Sequence, residues 1–492
     1  MKHLLTLFTI VIFSISATFA QSDFEKYAQE QKTAFNNYST KEQKAFKNFN
    51  DSINREYAKY LEETWKSFNL QKKEVPIKKP ITKPPVYDEN SAKPQPQELP
   101  VVKPQPPTPQ LVPKPKPPQE PEPNSKPEAP KENFINTSFF GTNIKLKSSA
   151  KQNLHLADVS EKAVADYWTA LSNCQYVDWV NDAQRIKNEQ KLNDWAVHQL
   201  LNTMFKTYFT NGNNNEQVIF NVFVFNQLGY KAKIGRSANN LYVMAAFKEE
   251  VYNTTYFIFN DNVRYYVINP LHTELSNIQT CSMNYGGATN YVVLYLSEQP
   301  VFSADNRTKN LTFNNKTYTI NYNKNKVDFY DTYPLSYYTV YAEAPIDNIT
   351  WQSVLLQIKP NVSGKSQEDA VNWLLHFVQN AFIYKTDQDN SGYEKWNFAE
   401  ETFASDFSDC DDRAILFSQL VRHLLGMEVV LIYYPGVHLA TAVKFSNPNT
   451  KGDYISVDGQ NYLLCDPTYI GANLGMAMPQ LRNVAVEVIK IK

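Results

Sequence analysis

The sequence predicts an α+β protein, because segments with two kinds of periodicity alternate along the chain. Residues 291–297 and 317–323 alternate apolar and polar side chains, a period of two that indicates β-strands. Apolar residues recur with the helical period over 190–209, 367–382 and 411–425. Helices and antiparallel strands mixed in this way are typical of an α+β fold.

Composition excludes several classes of protein. The 492 residues include 14 Gly, 28 Pro and 4 Cys, which excludes a collagen-like chain and a disulfide-dense scaffold. Lys and Arg number 49 against 50 Asp and Glu, so charge gives no reason to expect nucleic acid or an anionic membrane as a partner. The length predicts about two to four domains.

Residues 1–20 have the pattern of a secretory signal peptide. Lys2 precedes a short apolar run that ends near the small residue Ala20. The alternative is a membrane anchor, but a span needs about 20 apolar residues and this run is shorter. No Cys follows the run as a lipid attachment site. We therefore expect a secreted, periplasmic or cell-envelope protein with no transmembrane segment after cleavage.

A long helix is predicted over residues 21–72, because residues 22–70 lack Gly and Pro and carry aromatic residues with a period of eleven. This spacing places the aromatic side chains on one stripe of the helix. Two arrangements keep the stripe from water: self-association through residues 22–70, or packing on the chain's own surface. The residues are Phe24, Tyr27, Phe35, Tyr38, Phe46, Phe49, Tyr57, Tyr60 and Phe68.

Residues 73–132 hold 19 of the 28 prolines and no Gly. Their repeated Lys-Pro and Gln-Pro pairs predict an extended polyproline-II segment that is stiff rather than floppy. An exported chain does not meet the intracellular SH3-type domains that bind such sequences. We therefore interpret the segment as an extended linker.

Three blocks near the C-terminus carry the residue types of a nucleophilic enzyme. Asp409 or Ser408 is placed to cap a predicted helix, and Cys410 lies at or just before its first turn, where the helix dipole stabilises a thiolate. His438 begins an alternating strand, and Asp466 ends the next one. A thiolate attacks a carbonyl, an imidazole moves the proton, and a carboxylate orients the imidazole. The three blocks therefore predict a Cys-His-Asp triad.

The sequence DCDDRA before a helix, a His-bearing strand and a strand closing in DPT resemble the transglutaminase-like core of the papain-like cysteine hydrolase superfamily. The resemblance covers about 346–492. It implies a helix packed on an antiparallel sheet, and catalytic roles for Cys410, His438 and Asp466.

The same resemblance implies supporting residues. Asp409 and Asp412 support the helix start, and Trp396 is the candidate for the oxyanion-hole side chain that lies upstream of the nucleophile. The sequence contains no zinc-protease, paired Cys-x-x-Cys or phosphate-loop motif, so no cofactor or metal is implied.

Each cysteine has an alternative interpretation. In an oxidising compartment Cys410 is able to pair with Cys465. However, Cys465 and Asp466 are adjacent on a strand and face opposite sides, so a catalytic Asp466 places Cys465 in the core. Asp466 alone also fits a plain turn before proline. The spacing of Cys174 and Cys281 leaves their pairing open.

The region before the candidate catalytic domain resembles it. The corresponding blocks are 218–229 with 415–426, 239–247 with 437–445, and 265–270 with 462–467, all at an offset of 197 or 198. Asn213, Asn240 and Asn269 then align with the triad, and asparagine is neither a nucleophile nor a base. We expect a degenerate transglutaminase-like pseudoenzyme domain, the product of an internal duplication. The alternative is an unrelated α+β domain.

Two hypotheses of function follow. The first is an exported transglutaminase-like cysteine enzyme acting on amide bonds of proteins or peptides, with a peptidase or amidase favoured over acyl transfer. The second is a non-catalytic cell-envelope binding or scaffold protein with pseudoenzyme domains. The predicted organisation is a signal peptide (1–20), a long helix (21–72), a Pro-rich linker (73–132), a degenerate domain (133–290), a β-rich connection (291–345) and a catalytic domain (346–492).

Overall fold

A computed structural model describes most of the chain, and helices and mainly antiparallel sheets make it an α+β protein, as the sequence predicts. None of the helices in the described part has both the length and the apolar content that crossing a membrane requires. The predicted signal peptide, residues 22–46 and most of the linker lie outside the described residues. Those residues are 47–48, 50–74, 83–89, 95–102, 133–148, 152–260, 262–268, 275–390 and 392–492.

The helices of the described residues are α1 (47–62), α2 (Glu161–Asn173), α3 (Tyr176–Glu189), α4 (Asp194–Tyr208), α5 (Asn214–Gln227), α6 (Lys324–Tyr330), α7 (Tyr338–Ala342), α8 (Asn348–Gln357), α9 (Gln367–Ala381), α10 (Asp387–Asn390), α11 (Ala399–Ala404) and α12 (Cys410–Leu420). One π-helical turn, Val421–Leu425, extends α12.

The strands are β1 (Lys66–Asn69), β2 (Gln71–Lys72), β3 (Phe134–Phe139), β4 (Thr142–Lys147), β5 (Ala232–Ser237), β6 (Asn240–Ala245), β7 (Thr255–Ile258), β8 (Arg264–Ile268), β9 (Asn277–Thr280), β10 (Asn306–Phe313), β11 (Lys316–Asn323), β12 (Ile383–Tyr384), β13 (Phe407–Ser408), β14 (Val429–Tyr434), β15 (His438–Lys444), β16 (Tyr454–Val457), β17 (Gln460–Cys465) and β18 (Glu487–Lys490).

Two sheets organise the protein, one in residues 133–290, here called the upstream unit, and one in residues 346–492, the downstream unit. The upstream sheet has the order β1-β9-β5-β6-β8-β7-β2, and α5 packs on β5 and β6. The downstream sheet has the order β16-β17-β15-β14-β18, and α12 packs on β14 and β15. Each unit thus places a helix across the middle strands of its sheet.

The two units share one strand order. Reading outward from the hairpin edge, β7-β8-β6-β5-β9 in the upstream sheet matches β16-β17-β15-β14-β18 in the downstream sheet, and every neighbouring pair is antiparallel. The helix before these strands also matches, α5 in one unit and α12 in the other. Beyond this common set, β1 and β2 extend the upstream sheet only.

The prediction of a continuous helix to residue 72 is wrong, because α1 ends at residue 62 and residues 66–72 form β1 and β2. β1 pairs with β9 at one edge of the upstream sheet and β2 pairs with β7 at the other, so this one segment links the two edges. Phe68 keeps the aromatic spacing but packs on Phe257 and Phe259 as a strand residue. Its long-range strand partners override the helical period.

The aromatic stripe of α1 packs on the upstream unit. Tyr57, Leu61 and Trp65 are buried, and the Tyr57 ring contacts Trp168 and Tyr285 with centroids 5.0 and 5.4 Å apart. Of the two arrangements expected for the stripe, residues 47–62 therefore adopt packing on their own chain.

The strand predicted at 291–297 is also wrong. Val292 forms only a single bridge, with Phe247. The next two backbone N–H groups bond to side chains instead of a neighbouring strand: Val293 to Asp194 at 3.0 Å and Leu294 to a carboxylate oxygen of Glu249 at 2.8 Å. Two carboxylates, Glu249 buried and Asp194 partly buried, thus satisfy the donors that a sheet would otherwise need.

The connection predicted as β-rich is mixed. After the β10–β11 hairpin it forms α6 and α7, which join the cores of the two units. Trp396, Ala414 and Leu431 of the downstream unit belong to the same buried cluster as Trp168 and Leu201 of the upstream unit. The two units are therefore packed against each other.

We expect Leu61→Ala to lower the free energy of unfolding by about 2–5 kcal/mol, because a fully buried side chain leaves a cavity in the upstream core. Urea unfolding followed by fluorescence measures the change. Lys59→Ala is the matched control, since Lys59 is exposed on the same helix and its loss changes stability by less than about 0.5 kcal/mol. Equal stability of the two variants would show that α1 is not part of this core.

Candidate active site

Cys410 is the first residue of α12, directly after the N-cap residue Asp409. The Asp409 carboxylate accepts hydrogen bonds from the backbone N–H groups of Asp411 at 3.0 Å and Asp412 at 3.5 Å. In return the Asp412 carboxylate accepts from the backbone N–H of Asp409 at 3.3 Å. This capping box fixes the start of the helix. Cys410 is only 3% exposed, at the positive end of the helix dipole.

The loop before α12 is bound to the same carboxylate. Asn397 donates its backbone N–H to Asp412 Oδ1 at 2.9 Å and its side-chain amide to Oδ2 at 3.0 Å. Burial and the charge of Asp409 raise the pKa of Asp412 to about 8. No sequence motif predicts this role for Asn397. Its one signal is its position directly after Trp396.

His438 and Asp466 meet across two neighbouring strands. His438 begins β15, and Asp466 follows the last residue of β17, the strand paired with β15. The His438 Nε2 atom lies 2.9 Å from Asp466 Oδ2, and both residues are almost fully buried. A carboxylate oxygen only accepts, so Nε2 donates its proton to this bond. Oδ1 accepts from the Thr468 N–H at 2.9 Å, which holds the carboxylate in one orientation.

Cys410 also interacts with the His438 ring. Burial alone lowers the pKa of His438, but Asp466 and then Cys410 raise it, to about 10 overall. Because Nε2 is bonded to Asp466, the interaction with Cys410 falls to the Nδ1 side of the ring. Nδ1 itself has no partner within hydrogen-bond geometry. Tyr434, the cross-strand neighbour of His438, stacks on the ring at 5.9 Å.

The guanidinium of Arg413 holds the first turn of α12 in place from the other side. It is 1% exposed and donates to the Ser408 hydroxyl at 3.0 Å and to the backbone carbonyls of Gln379 and Phe382 at 3.2 and 2.8 Å. Burial lowers the pKa of Arg413 to about 10, so it stays charged at neutral pH. Arg413 lies within the DCDDRA motif, but no role was predicted for it.

Gln379 of α9 holds the turn that follows Asp466. Its side-chain amide donates to the backbone carbonyls of Asp466 and Ala472, both at 3.1 Å, and its side-chain oxygen accepts from the Gly471 N–H at 3.0 Å. One buried glutamine thus fixes both ends of the turn. No motif in the sequence indicates this role.

Trp396, the oxyanion candidate, lies in the loop held by Asp412 but its indole N–H already has a partner. It donates to Glu394 at 3.3 Å. The buried ring stacks on Tyr338 with centroids 3.7 Å apart and also contacts Tyr252 of the upstream unit.

All four cysteines are free. Cys410 and Cys465 form no disulfide, and Cys465 lies fully buried in the core, where burial raises the pKa of its thiol. Cys174 and Cys281, whose pairing the spacing left open, are also unpaired.

The corresponding positions of the upstream unit hold amides. Asn213 caps α5 in a capping box with Glu216, just as Asp409 caps α12 with Asp412, so the residue at the helix position of Cys410 is Asn214. Asn240 begins β6 and is exposed, and Asn269 lies outside the described residues.

A single amide joins the helix start of the upstream unit to its strand. Asn215 donates to the Asn239 carbonyl at 3.1 Å and accepts from the Leu241 N–H at 2.8 Å. These bonds flank Asn240 on both sides. The upstream unit therefore closes with neutral hydrogen bonds at the place where the downstream unit brings a thiol to an imidazole.

Ligand atoms of Asp409, Cys410 and Asp411 lie within 4.8 Å of one another, close enough to hold a metal ion. However, the Asp409 carboxylate already caps α12, and the helix N-terminus disfavours a cation. We therefore assign no metal to this group.

No protein-family model matches the chain, and no curated protein is significantly similar to it. The chemistry of the site is therefore inferred from its side chains and their surroundings.

We expect the stability that His438 contributes to depend on pH. The folded protein binds the imidazole proton with a pKa of about 10, and the unfolded chain with one of about 6.5. The contribution is fully present below pH 6.5 and is lost as pH rises towards 10. The difference in unfolding free energy between wild type and His438→Gln should shrink over this range, by up to about 1.4 kcal/mol per pH unit.

His423→Gln is the matched control for this titration. Burial and Arg422 lower the pKa of His423, so its contribution changes only below about pH 6.5. Urea unfolding between about pH 6 and pH 10 measures both variants. Parallel curves for wild type and His438→Gln would contradict the raised pKa.

Proposed function

We propose that the protein is a transglutaminase-like cysteine enzyme that acts on amide bonds of proteins or peptides. Cys410 is the nucleophile, His438 the acid and base, and Asp466 the residue that orients the imidazole. The observation that carries this proposal is the buried His438–Asp466 hydrogen bond of 2.9 Å, with the opposite ring nitrogen on the side of Cys410 at a helix start. Such an ordered trio is the arrangement that activates a thiol.

The chemistry proceeds in two halves. The Cys410 thiolate attacks the amide carbonyl, and the imidazolium of His438 gives its proton to the departing amine, which leaves a thioester on Cys410. Water or a second amine then attacks the thioester, His438 takes the proton, and the thiolate departs. The raised pKa keeps His438 protonated at neutral pH, as the first half requires.

The negative oxygen of the intermediate needs hydrogen-bond donors. Asp409 already accepts from the backbone N–H groups of Asp411 and Asp412, so the N–H of Cys410 itself is the main-chain candidate at the start of α12. Trp396 is the side-chain candidate. To take this role, its indole N–H must release Glu394 and donate to the substrate oxygen instead.

Hydrolysis is favoured over acyl transfer, because both share the thioester and an exported enzyme meets water in excess. The signal-like residues 1–20 support export to the periplasm, the cell envelope or the medium. Every chemical step uses side chains of the chain itself, so the proposal includes no cofactor. Self-association through residues 22–70 stays a proposal for residues 22–46, which lie outside the described residues.

We further propose that the upstream unit is a degenerate copy of the downstream unit. The constant offset between the sequence blocks supports this, as do the common strand order and the capping box before each helix. Its asparagines leave binding or scaffolding as its use.

One observation favours the alternative of a non-catalytic binding or scaffold protein. Cys410, His438 and Asp466 are at most 3% exposed, so a substrate reaches the thiol only if the surrounding residues move. An active triad predicts a reactive Cys410 thiol, whereas the burial of these three residues predicts an unreactive one.

A thiol-reactive probe at neutral pH distinguishes the two functions. We expect it to label wild type rapidly, and His438→Ala at least about tenfold more slowly, because the imidazolium stabilises the thiolate. Peptide mapping assigns the label to Cys410, and Cys410→Ala removes it. Cys465→Ala is the matched control and should label like wild type, since that thiol is buried and its pKa is raised. Equal labelling of wild type and His438→Ala would exclude the enzyme.

Incubation with protein and peptide mixtures then identifies the reaction. Mass spectrometry should detect fragments with wild type and none with Cys410→Ala. Crosslinked products with loss of ammonia would instead assign acyl transfer.

A further inference from the structure

Two stretches of the Pro-rich segment, residues 83–89 and 95–102, bind the downstream unit, and we call them the Pro-rich strap. Three contacts share one form: the carbonyl of one strap residue accepts from a downstream N–H, and the N–H two residues later donates to the carbonyl of that same downstream residue. The contacts are Pro85 and Tyr87 with Ile470, Gln97 and Leu99 with Tyr454, and Pro100 and Val102 with Val486, all at 2.8–3.0 Å.

The sequence of the strap suits this pattern. Pro85 and Pro100 use only their carbonyls, so the N–H that proline lacks is not needed there. The neighbouring prolines hold the chain extended before it binds, which reduces the entropy lost on docking. These residues were predicted to belong to an extended linker, and the structure shows them bound to the downstream unit at three places.

The first contact lies one turn from the candidate triad. The backbone carbonyl of Asp466 accepts from the Tyr469 N–H at 3.2 Å, and its carboxylate accepts from the Thr468 N–H at 2.9 Å. The next residue, Ile470, is the one that the strap holds. The Tyr87 ring also packs edge-on against Tyr469, with centroids 6.0 Å apart.

The turn of residues 466–472 is thus held from two sides. Gln379 binds it from the protein interior, and the strap binds it from outside. Removal of either support frees one side of the turn that presents the Asp466 carboxylate to His438.

The other two contacts anchor the strap away from this turn. Leu99 is buried beside β16, where Tyr454 lies at the edge of the sheet, and Val486 precedes β18. Asp453 adds an ion pair with Arg482, whose guanidinium also donates to the Gln95 carbonyl at 2.6 Å. Substitutions at these contacts can therefore serve as controls, because they loosen the strap without changing the turn that follows Asp466.

We propose that Pro85–Tyr87 is a positioning clamp for the triad: the docked strap holds Ile470, and through the turn it keeps the Asp466 carboxylate on His438. Tyr87 is a positioning residue, because it acts through Ile470 and touches no reacting atom. The clamp couples the N-terminal part of the chain to the site. Its importance for catalysis rests on the function proposed above, whereas its effect on the imidazole does not.

The test compares Tyr87→Pro, which deletes the N–H that donates to Ile470, with Val102→Pro, which deletes the equivalent N–H at Val486. Imidazole NMR of the full chain measures the pKa of His438, whose signal is the one lost in His438→Gln. We expect this pKa to fall by about one in Tyr87→Pro and to stay unchanged in Val102→Pro and Tyr87→Phe. Labelling of Cys410 at neutral pH should slow about fivefold in Tyr87→Pro alone.

Two outcomes overturn the clamp: an unchanged His438 pKa in Tyr87→Pro, or an equal fall in Val102→Pro. If Tyr87→Pro does not fold, Tyr87→Ala replaces it, since this variant keeps the backbone bonds, loses the ring contact and should lower the pKa by less. An unreactive Cys410 in wild type, together with the expected pKa change, would disprove the enzyme and support the clamp.

Discussion

The burial of ionisable groups at the start of α12 is the constraint on which the rest of the site depends. Asp409, Asp412 and Arg413 are at most 4% exposed, and such groups are costly to bury unless hydrogen bonds compensate them. The two carboxylates cap the helix reciprocally, and Arg413 binds backbone carbonyls. Burial and the charges of Asp409 and Asp412 raise the pKa of Asp387 to about 10, which limits repulsion in the cluster. Because these hydrogen bonds fix the helix start, they hold Cys410 in one position.

The same architecture does not require this chemistry. The upstream unit repeats the helix, its cap and the strand order, and it keeps the buried carboxylate Glu216 in the cap. Asn214 stands at the helix position of Cys410, and Asn215 bonds the strand through a neutral amide, so the fold persists without a nucleophile. The fold therefore gives no information on activity, and the function is inferred from Cys410, His438 and Asp466 alone.

Local patterns predicted much of the fold. The helical periods at 190–209 and 367–382 correspond to α4 and α9, and the alternation at 317–323 corresponds to β11. The wrong predictions have one cause: contacts with residues distant in sequence determine the secondary structure there. Phe68 joins a sheet more than 180 residues away, and in 291–297 backbone N–H groups bond to the carboxylates of Asp194 and Glu249 instead of a strand. Gln379 and Tyr87 were missed because their partners lie far along the chain, whereas Asn397 lies only 15 residues from Asp412 and was missed because no motif marks the loop before α12.

A second buried histidine shows what the partners of His438 contribute. His198 of the upstream unit lies between the rings of Trp195 and Phe225, and burial lowers its pKa to about 4. His438 is buried just as fully, yet its pKa is about 10. The two residues differ in their neighbours: aromatic rings for one, a carboxylate and a thiol for the other. Burial alone therefore yields a neutral core histidine, and Asp466 with Cys410 accounts for the charged one. This difference in pKa distinguishes His438 in the candidate triad from a histidine that only packs in the core.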